Sequence, residues 1–532
     1  MAANESCPSN CNFIKLLPFV MLLYTRELVA PRLNQGLLRF RRKQQRIKYQ
    51  DRLRSAFDHC TIHGMQHVSG ERHLWQRLLW ISIALGAGVA GFSMYSVLRL
   101  RLSEQLLVSL IDTTQLPVYH IDFPAVAICP WSHVNWQRAP SALIRFLPEN
   151  PDAHLRETFR HLLVVLDLTS FSNFKRASDM GKEIAIGWTF FSMKQLMNYL
   201  AYRCEELFIP GSCVFDETYY DCCQLFVPEQ TEKGQCLVFN SLISDHSRKK
   251  QLTNKFYPHK LSTAGEESGL MFTINASHPF VRAGKETPFG MNLMIKKPSQ
   301  WSSEIIYNLY PDTENFVAVN PLVMETSTNT HKMSPRKRRC YFDNEQSPYF
   351  QNTSLTYDRA NCMVVCLHQV VLKTCNCSAP VFLPPIGLEG IRECGVLDAK
   401  CLSSNADIFS YVRMGDQDKY INDSRHGYFC DCPDNCNSWQ YKMTLNVRKL
   451  DYPKNSTERL IKGQIYYGQR VMTKIITKLK YTNLDLLANF GGIISLFMGA
   501  SVMSFIELVF VVGKLMWVFI KDGYAKLNDQ IK

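Results

Sequence analysis

A group of residues near the carboxyl-terminal end has side chains that a simple membrane anchor does not need. The run Leu486 to Gly513 is 28 residues long with one charge, Glu507. It nevertheless carries Asn489, Gly491, Gly492, Ser495, Gly499, Ala500, Ser501 and Ser504 where an anchor would hold Leu, Ile and Val. A carboxylate in hydrocarbon costs at least about 2.5 kcal/mol, and a water-filled path relieves that cost. As one helix, at about 1.5 Å per residue, the run would reach roughly 42 Å against a hydrocarbon layer of about 30 Å, so it must tilt, protrude or break. The adjacent small residues Gly499, Ala500 and Ser501 permit a local extended break, which is tolerated at membrane depth only where the backbone lines a cavity. Rings of such carbonyls replace an ion's hydration shell. Ion conduction is thus the chemistry these residues offer. Close helix packing through small residues is the plainer alternative, and Glu507 weighs against it.

Other elements must hold this segment in place. Leu78 to Leu98 is a run of 21 uncharged residues, long enough to cross a bilayer, in which Gly86, Gly88 and Gly91 let another helix approach. The first 77 residues hold 13 Lys and Arg against 5 Asp and Glu, which is +8 of the chain's net +13. That excess predicts a cytosolic amino terminus and a contact with lipid headgroups, and disfavours nucleic acid as the partner. Of 19 cysteines only Cys7, Cys11 and Cys60 precede the first span, leaving 16, an even number, for the segment between the spans. Five glycosylation acceptors fall there too: Asn275, Asn352, Asn376, Asn422 and Asn455. An oxidising, extracellular compartment accounts for both. Alternating runs at Phe123–Ile128, Gly290–Ile295 and Val471–Ile476 predict strands, and Ser192–Ala201 and Asp358–Leu372 predict helices. The fold class expected is a membrane α+β protein, with two transmembrane helices flanking a large disulfide-rich, strand-cored extracellular domain.

Phe490-Gly491-Gly492, followed by Gly499-Ala500-Ser501, Ser504 and Glu507, resembles the second transmembrane segment of the degenerin and epithelial sodium channel family. His63-Gly64 resembles that family's cytosolic gating motif, and Phe123-Pro124-Ala125-Val126 with Cys129 resembles the strand after its first span. The run Cys362, Cys366, Cys375, Cys377, Cys394, Cys401, Cys430, Cys432 and Cys436 resembles its cysteine-rich thumb. These elements span nearly the whole chain in the family's order. The extra cysteines, including the adjacent pair Cys222-Cys223, look more like the arthropod pickpocket branch than the vertebrate members.

The resemblance implies a plasma-membrane sodium channel, a homo- or hetero-trimer with both termini cytosolic. Gly499, Ala500 and Ser501 would form the selectivity filter, and Ser504, Glu507 and Asn489 would line the pore. His63, Gly64 and Ala488 would act in gating, and Ser495 in amiloride block. It also implies a ladder of disulfides: Cys340–Cys436, Cys362–Cys432, Cys366–Cys430, Cys375–Cys401 and Cys377–Cys394. Cys129, Cys204, Cys213, Cys222, Cys223 and Cys236 remain without assigned partners. The organisation expected is a cytosolic region 1–74, a first helix 75–98, an extracellular domain 99–480 with its thumb-like part at about 340–436, a second transmembrane segment 481–520 and a tail 521–532. Phe510 stands where proton-gated members carry a second acidic residue.

Other classes fit less well. An ATP-gated trimeric channel shares the two-span plan without the Gly-x-Ser element or the thumb pattern, and a two-span glycosylated receptor would not need Gly499 to Ser501 or Glu507. The chain has no phosphate-binding loop, G-x-S-x-G elbow or H-E-x-x-H helix, so no enzyme activity, cofactor or metal is expected. An auxiliary subunit that conducts only beside a relative is compatible with every motif. The stimulus, whether acid, peptide, small molecule or force, has no local signature, although His120 and His133 are candidates for pH sensitivity. Arg336-Lys337-Arg338-Arg339 fits a furin-type cleavage site, and equally a structural basic cluster before the first thumb cysteine.

Overall fold

The computed structural model describes residues 67, 73–104, 107–169, 192–277, 290–303, 305–345, 350, 355–378, 391–413, 420, 422, 427–451 and 458–531. The chain divides into two units. One is Leu107–Lys480, and the described residues before and after it form the other.

Strand follows strand through the larger unit as β1 (Leu107–Pro117), β2 (Ala125–Pro130), β3 (Cys213–Phe215), β4 (Thr218–Tyr220), β5 (Phe226–Thr231) and β6 (Gly234–Phe239). Next come β7 (Leu270–Asn275), β8 (Met291–Lys296), β9 (Ile306–Leu309), β10 (Thr313–Thr326) and β11 (Cys340–Tyr341). The remainder are β12 (Val412–Arg413), β13 (Tyr428–Phe429), β14 (Asp434–Asn435), β15 (Ser438–Lys449), β16 (Leu460–Tyr467) and β17 (Val471–Leu479). The main sheet has the order β1-β17-β10-β16-β7-β3-β4, with β15 along the free edge of β10. A second sheet runs β5-β6-β2-β8-β9.

Residue patterns explain the placement. In β7, Leu270, Phe272 and Ile274 are buried and alternate with half-buried neighbours, as expected of a strand with one face in the core. All of Ala125–Pro130 is buried, because β2 lies between β6 and β8 and has no solvent face. β10 pairs in parallel with β16 as far as Val319↔Tyr467, then with β17 from Leu322↔Thr473. Pro321, which has no N–H to give to a ladder, sits at this handover. Gly463 faces Phe272 across the β16–β7 pair, and a Cβ there would meet the ring at 2.2 Å. The main core gathers Phe123, Phe215, Phe226, Phe239, Phe272 and Tyr467. Phe123 packs edge-on to Phe215 and Tyr467, each at 5.4 Å. Burying each such ring contributes about 1.5–3 kcal/mol.

Helices follow the same logic. In the smaller unit α1 is Leu74–Glu104. The larger unit holds α2 (Ala139–Phe146), α3 (Ala153–Leu168), α4 (Met193–Leu200), α5 (Asp245–Thr253), α6 (Pro335–Arg338) and α7 (Arg359–Cys375). The carboxyl-terminal pair, in the smaller unit, is α8 (Asn483–Met498) and α9 (Val502–Ile531). Asp358 caps α7 by accepting the Ala360 N–H at 3.0 Å, and the helix ends on Asn376 in the left-handed conformation. Phe159, Leu162 and Leu166 of α3, Leu196 and Leu200 of α4, and Val370 and Val371 of α7 bury one another in a second core. α1 runs beyond the expected 75–98, through Arg99 and Arg101 to Glu104, because nothing in Arg-Leu-Arg-Leu breaks a helix.

Eight disulfides brace the larger unit. Five are Cys340–Cys436, Cys362–Cys432, Cys366–Cys430, Cys375–Cys401 and Cys377–Cys394. They are the pairs that the family resemblance implies. Cys362 and Cys366 lie one helical turn apart on α7 and reach the alternate residues Cys432 and Cys430. The unassigned cysteines pair as Cys129–Cys236, Cys204–Cys223 and Cys213–Cys222, so the adjacent Cys222 and Cys223 bind different partners.

Candidate ion-conduction site

The polar, glycine-containing run near the carboxyl terminus folds as two helices, not one. α8 starts with a reciprocal cap: Thr482 Oγ1 accepts the Asp485 N–H at 3.2 Å, and the Asp485 carboxylate accepts the Thr482 N–H at 2.9 Å. The helix stops at Gly499, whose φ of 60° and ψ of 20° are left-handed, and the Gly499 N–H donates to the Ser495 carbonyl at 2.9 Å. This corrects the expected extended break. The chain leaves α8 through a left-handed glycine cap, which satisfies one of the helix's terminal carbonyls and costs a glycine little.

α9 begins immediately afterwards. The Ser501 N–H donates to Ser504 Oγ at 3.1 Å and the Ser504 N–H to Ser501 Oγ at 3.3 Å, so each serine caps the other. The two helices meet at about 70°, with Gly499, Ala500 and Ser501 at the corner. Ser495 and Gly499 are thus joined by a hydrogen bond on the α8 side of the corner, and Ser501 and Ser504 on the α9 side. Ala488 and Asn489 lie farther back on α8 and are exposed, Ser504 is buried, and Glu507 is half-buried. His63 and Gly64 lie outside the described residues. α1 packs on α8 through Tyr95 edge-on to Phe490 at 5.7 Å and through Gly91 over Phe497. Among the described residues, nothing lies within 4 Å of a Cβ placed on Gly86 or Gly88. Large apolar side chains, including Leu487, Leu496, Val502, Phe505, Val509 and Phe510, stay exposed along α8 and α9. A surface like this calls for lipid or a partner. α1 satisfies the length and composition for a membrane span, and α8 with the first part of α9 does so as a bent pair.

Other sequence-predicted residues lie in the larger unit. Asn376 and Asn422 are exposed, Asn275 is half-buried at the end of β7, and Asn352 and Asn455 lie outside the described residues. His120 is exposed and stacks on Tyr119, whereas burial drives the His133 imidazole toward its neutral form. Arg338 of the basic cluster is buried. Its guanidinium pairs with Glu345, donates to the Met333 carbonyl at 2.5 Å and the Cys340 carbonyl at 3.0 Å, and lies 4.8 Å from the centre of the Phe342 ring. Arg336, Lys337 and Arg339 are exposed. The structure thus supports the architectural reading of this cluster.

Sequence reasoning missed the buried ion pairs. Lys296 of β8 bonds Glu229 of β5 at 3.0 Å and the Trp301 carbonyl at 2.9 Å. Lys297 bonds the α7 capping residue Asp358 at 2.7 Å. The only sequence signal was the Lys296-Lys297 pair at the end of an apolar strand.

An apolar helix, a second apolar segment broken at Gly-Ala-Ser and a disulfide-laddered α+β unit between them define the class: a membrane ion-channel subunit, not an enzyme. The chain belongs to the amiloride-sensitive sodium channel family, whose model matches residues 56–511. It is 69% identical over 513 residues to Pickpocket protein 19 of Drosophila melanogaster, covering 96% of this chain and 100% of that protein. Sodium channel protein Nach of Drosophila ananassae is 24% identical over 477 residues, 85% of this chain and 84% of that one. Pickpocket protein 11 of Drosophila melanogaster is 22% identical over 465 residues, 85% and 73% of the two chains. The chain thus falls in the pickpocket branch, and its larger unit is the disulfide-rich extracellular domain of this family.

Proposed function

We propose that this chain is a subunit of a trimeric, sodium-selective cation channel, crossing the plasma membrane twice with both termini cytosolic and gated through its extracellular domain. Gly499, Ala500 and Ser501 form the selectivity filter, Asn489, Ser504 and Glu507 line the path, and Ala488 with His63 and Gly64 governs opening. Ser495 contributes to block by amiloride. Asn275, Asn352, Asn376, Asn422 and Asn455 carry glycans. The observation that carries the reading is the interruption of an apolar helical segment at Gly499–Ser501. Backbone outside a helix leaves polar groups that hydrocarbon cannot satisfy, so a break at this depth belongs beside water or protein. Around a symmetry axis, such breaks from neighbouring subunits offer carbonyls to an ion in transit.

The test is two-electrode voltage clamp of cells expressing Ala488→Val alone, with sodium exchanged for potassium and amiloride added. A bulkier residue at this exposed helical position hinders closure, so a sustained inward sodium current is expected. Silence despite surface labelling, both alone and beside related subunits, would refute the pore-forming reading. Current only on co-expression would identify an auxiliary subunit of a heteromer.

A further inference from the structure

A cavity of about 420 Å³ opens in the extracellular domain between the β3–β4 hairpin and the chain that leaves α5. Its volume lies within the range of small-molecule sites. The walls are aromatic, from Phe215, Tyr220 and Phe256, with Pro258 and the His259 ring beside them. Phe256 is 79% exposed at the cavity and leaves its ring open to a ligand there.

His259 is held rigidly. Its ring stacks parallel to Phe239 at 5.7 Å, tilts against Phe215 at 5.3 Å and meets Tyr257 edge-on at 5.5 Å. Its backbone N–H donates to Asn240 at 2.7 Å, and its carbonyl accepts from Phe123 at 2.9 Å. Neither ring nitrogen has a hydrogen bond among the described residues. Burial, reinforced by the Lys250 ammonium, pushes the imidazole pKa down to about 4, so at neutral pH one ring nitrogen is an N–H donor and the other an acceptor.

Two lysines and one aspartate are the charged residues of the lining. Lys255 lines it, is exposed and has no ion-pair partner among the described residues. Lys260 also lines it and pairs with Asp122 at 3.7 Å. Outside the lining, the stretch from Asp245 to Lys260 carries Lys249 and Lys250, and Arg248, which pairs with Asp245. Asp216 is the one acidic residue in the lining, and the Thr263 hydroxyl donates to it at 3.5 Å.

We propose that this cavity is a recognition site for a small organic anion, a carboxylate or sulfonate carried on a flat apolar ring. The ring packs among Phe215, Tyr220 and Phe256, while the anionic group meets the Lys255 ammonium and the His259 N–H. Aromatic walls supply apolar contact, and the lysine and imidazole supply orientation and the preference for negative charge. Asp216 disfavours a second anionic group on the same ligand.

The test uses the full-length chain in lipid nanodiscs, with 2-naphthoate as probe and the neutral 2-naphthamide as control, binding being read by titration calorimetry. Naphthoate is expected to bind saturably and about tenfold more tightly than the amide, the size of one charge-assisted hydrogen bond. Lys255→Glu and Lys255→Gln should each weaken naphthoate about tenfold and leave the amide unchanged. Phe256→Ala should weaken both ligands, and Lys249→Glu, outside the lining, neither. Equal affinity for acid and amide, no effect at Lys255, or no naphthoate binding at millimolar concentration would each overturn the assignment. Because the readout is binding and not current, failure here leaves the pore assignment untouched.

Discussion

Replacing Arg338 separates the architectural role of the basic cluster from a processing role. Arg338→Gln removes a buried guanidinium that serves Glu345 and the carbonyls of Met333 and Cys340. Breaking a fully buried ion pair from one side costs about 3–5 kcal/mol. Glu345 keeps 21% of its side chain exposed and can recover some hydration, so the loss lies at the lower end, about 3 kcal/mol. For a unit of this size that corresponds to a fall in Tm of roughly 4 °C. Arg338→Lys, which keeps the charge but not the fork, should recover part of it. Burial tends to raise the Glu345 pKa, but Arg338 and the Phe342 N–H outweigh it and hold the carboxyl below its ordinary 4.5. With the folded value depressed, the unfolded chain binds more protons in that range. The contribution is therefore complete above the unfolded value and disappears as pH falls through the folded one. Arg338→Gln should flatten this acid limb.

The control is Arg336→Ala with Arg339→Asn. These side chains are exposed, and Asn tolerates the left-handed backbone at position 339. This pair destroys the R-x-K/R-R pattern and should leave Tm and chain mass unchanged. The assay is thermal unfolding of the purified protein from pH 3.5 to 8, with immunoblotting of furin-containing cells. Cleavage after Arg339 in the wild type, blocked by the control pair and accompanied by an unshifted Tm in Arg338→Gln, would refute the reasoning.

Three further outcomes follow. Ser501→Asp places a carboxylate at the corner between α8 and α9 and should shift the reversal potential when sodium is replaced by potassium; unchanged potentials in a conducting variant would remove Ser501 from the filter. Gly499→Val puts a β-branched residue where φ is 60°, at a cost of roughly 1–2 kcal/mol. It should abolish or sharply reduce the current of the Ala488→Val background without loss of surface labelling, whereas Gly499→Asn should retain more of it. Lys296→Met leaves the Glu229 carboxylate buried and unpaired at a cost of about 3–5 kcal/mol. Surface delivery should fall, and adding Glu229→Leu should restore much of it.

Elements with strong local signatures were legible in the sequence. Ser192 and Asp358 cap the helices they were expected to open, and the runs Phe123–Ile128 and Gly290–Ile295 overlap β2 and β8, adjacent interior strands of the second sheet. The order of the main sheet was not legible. Its parallel pairs β10–β16 and β10–β17 join residues more than a hundred positions apart, and no local pattern records which strand lies beside which. At the site, composition marked Gly499–Ser501 as a place where a helix can break. The left-handed conformation of Gly499 was not predicted, because glycine permits extended and left-handed backbone alike. The reciprocal Ser501–Ser504 cap was written in the spacing, yet Ser501 was read for the filter and Ser504 for the pore lining. Arg338 was hidden for the opposite reason: four consecutive basic residues have the signature of an exposed run, and only tertiary packing selects the one that is buried.

The covalent framework also limits where the extracellular domain can change shape. All eight bridges join residues from Cys129 to Cys436, and none involves a residue of β1, β10, β15, β16 or β17. α7 is tied at three of its residues, so bending it against its disulfide partners would work against covalent bonds. Those five strands slide or twist against hydrogen bonds, whose net value is about 0.5–1.5 kcal/mol each. β1 follows α1 in the sequence and β17 precedes α8, and these two strands pair with each other from Leu107↔Leu479 to Pro117↔Val471. That pairing is already irregular, with register shifts between Ile111 and Leu116. The part of the domain without covalent bracing therefore includes the two strands whose chain runs directly into the apolar helices.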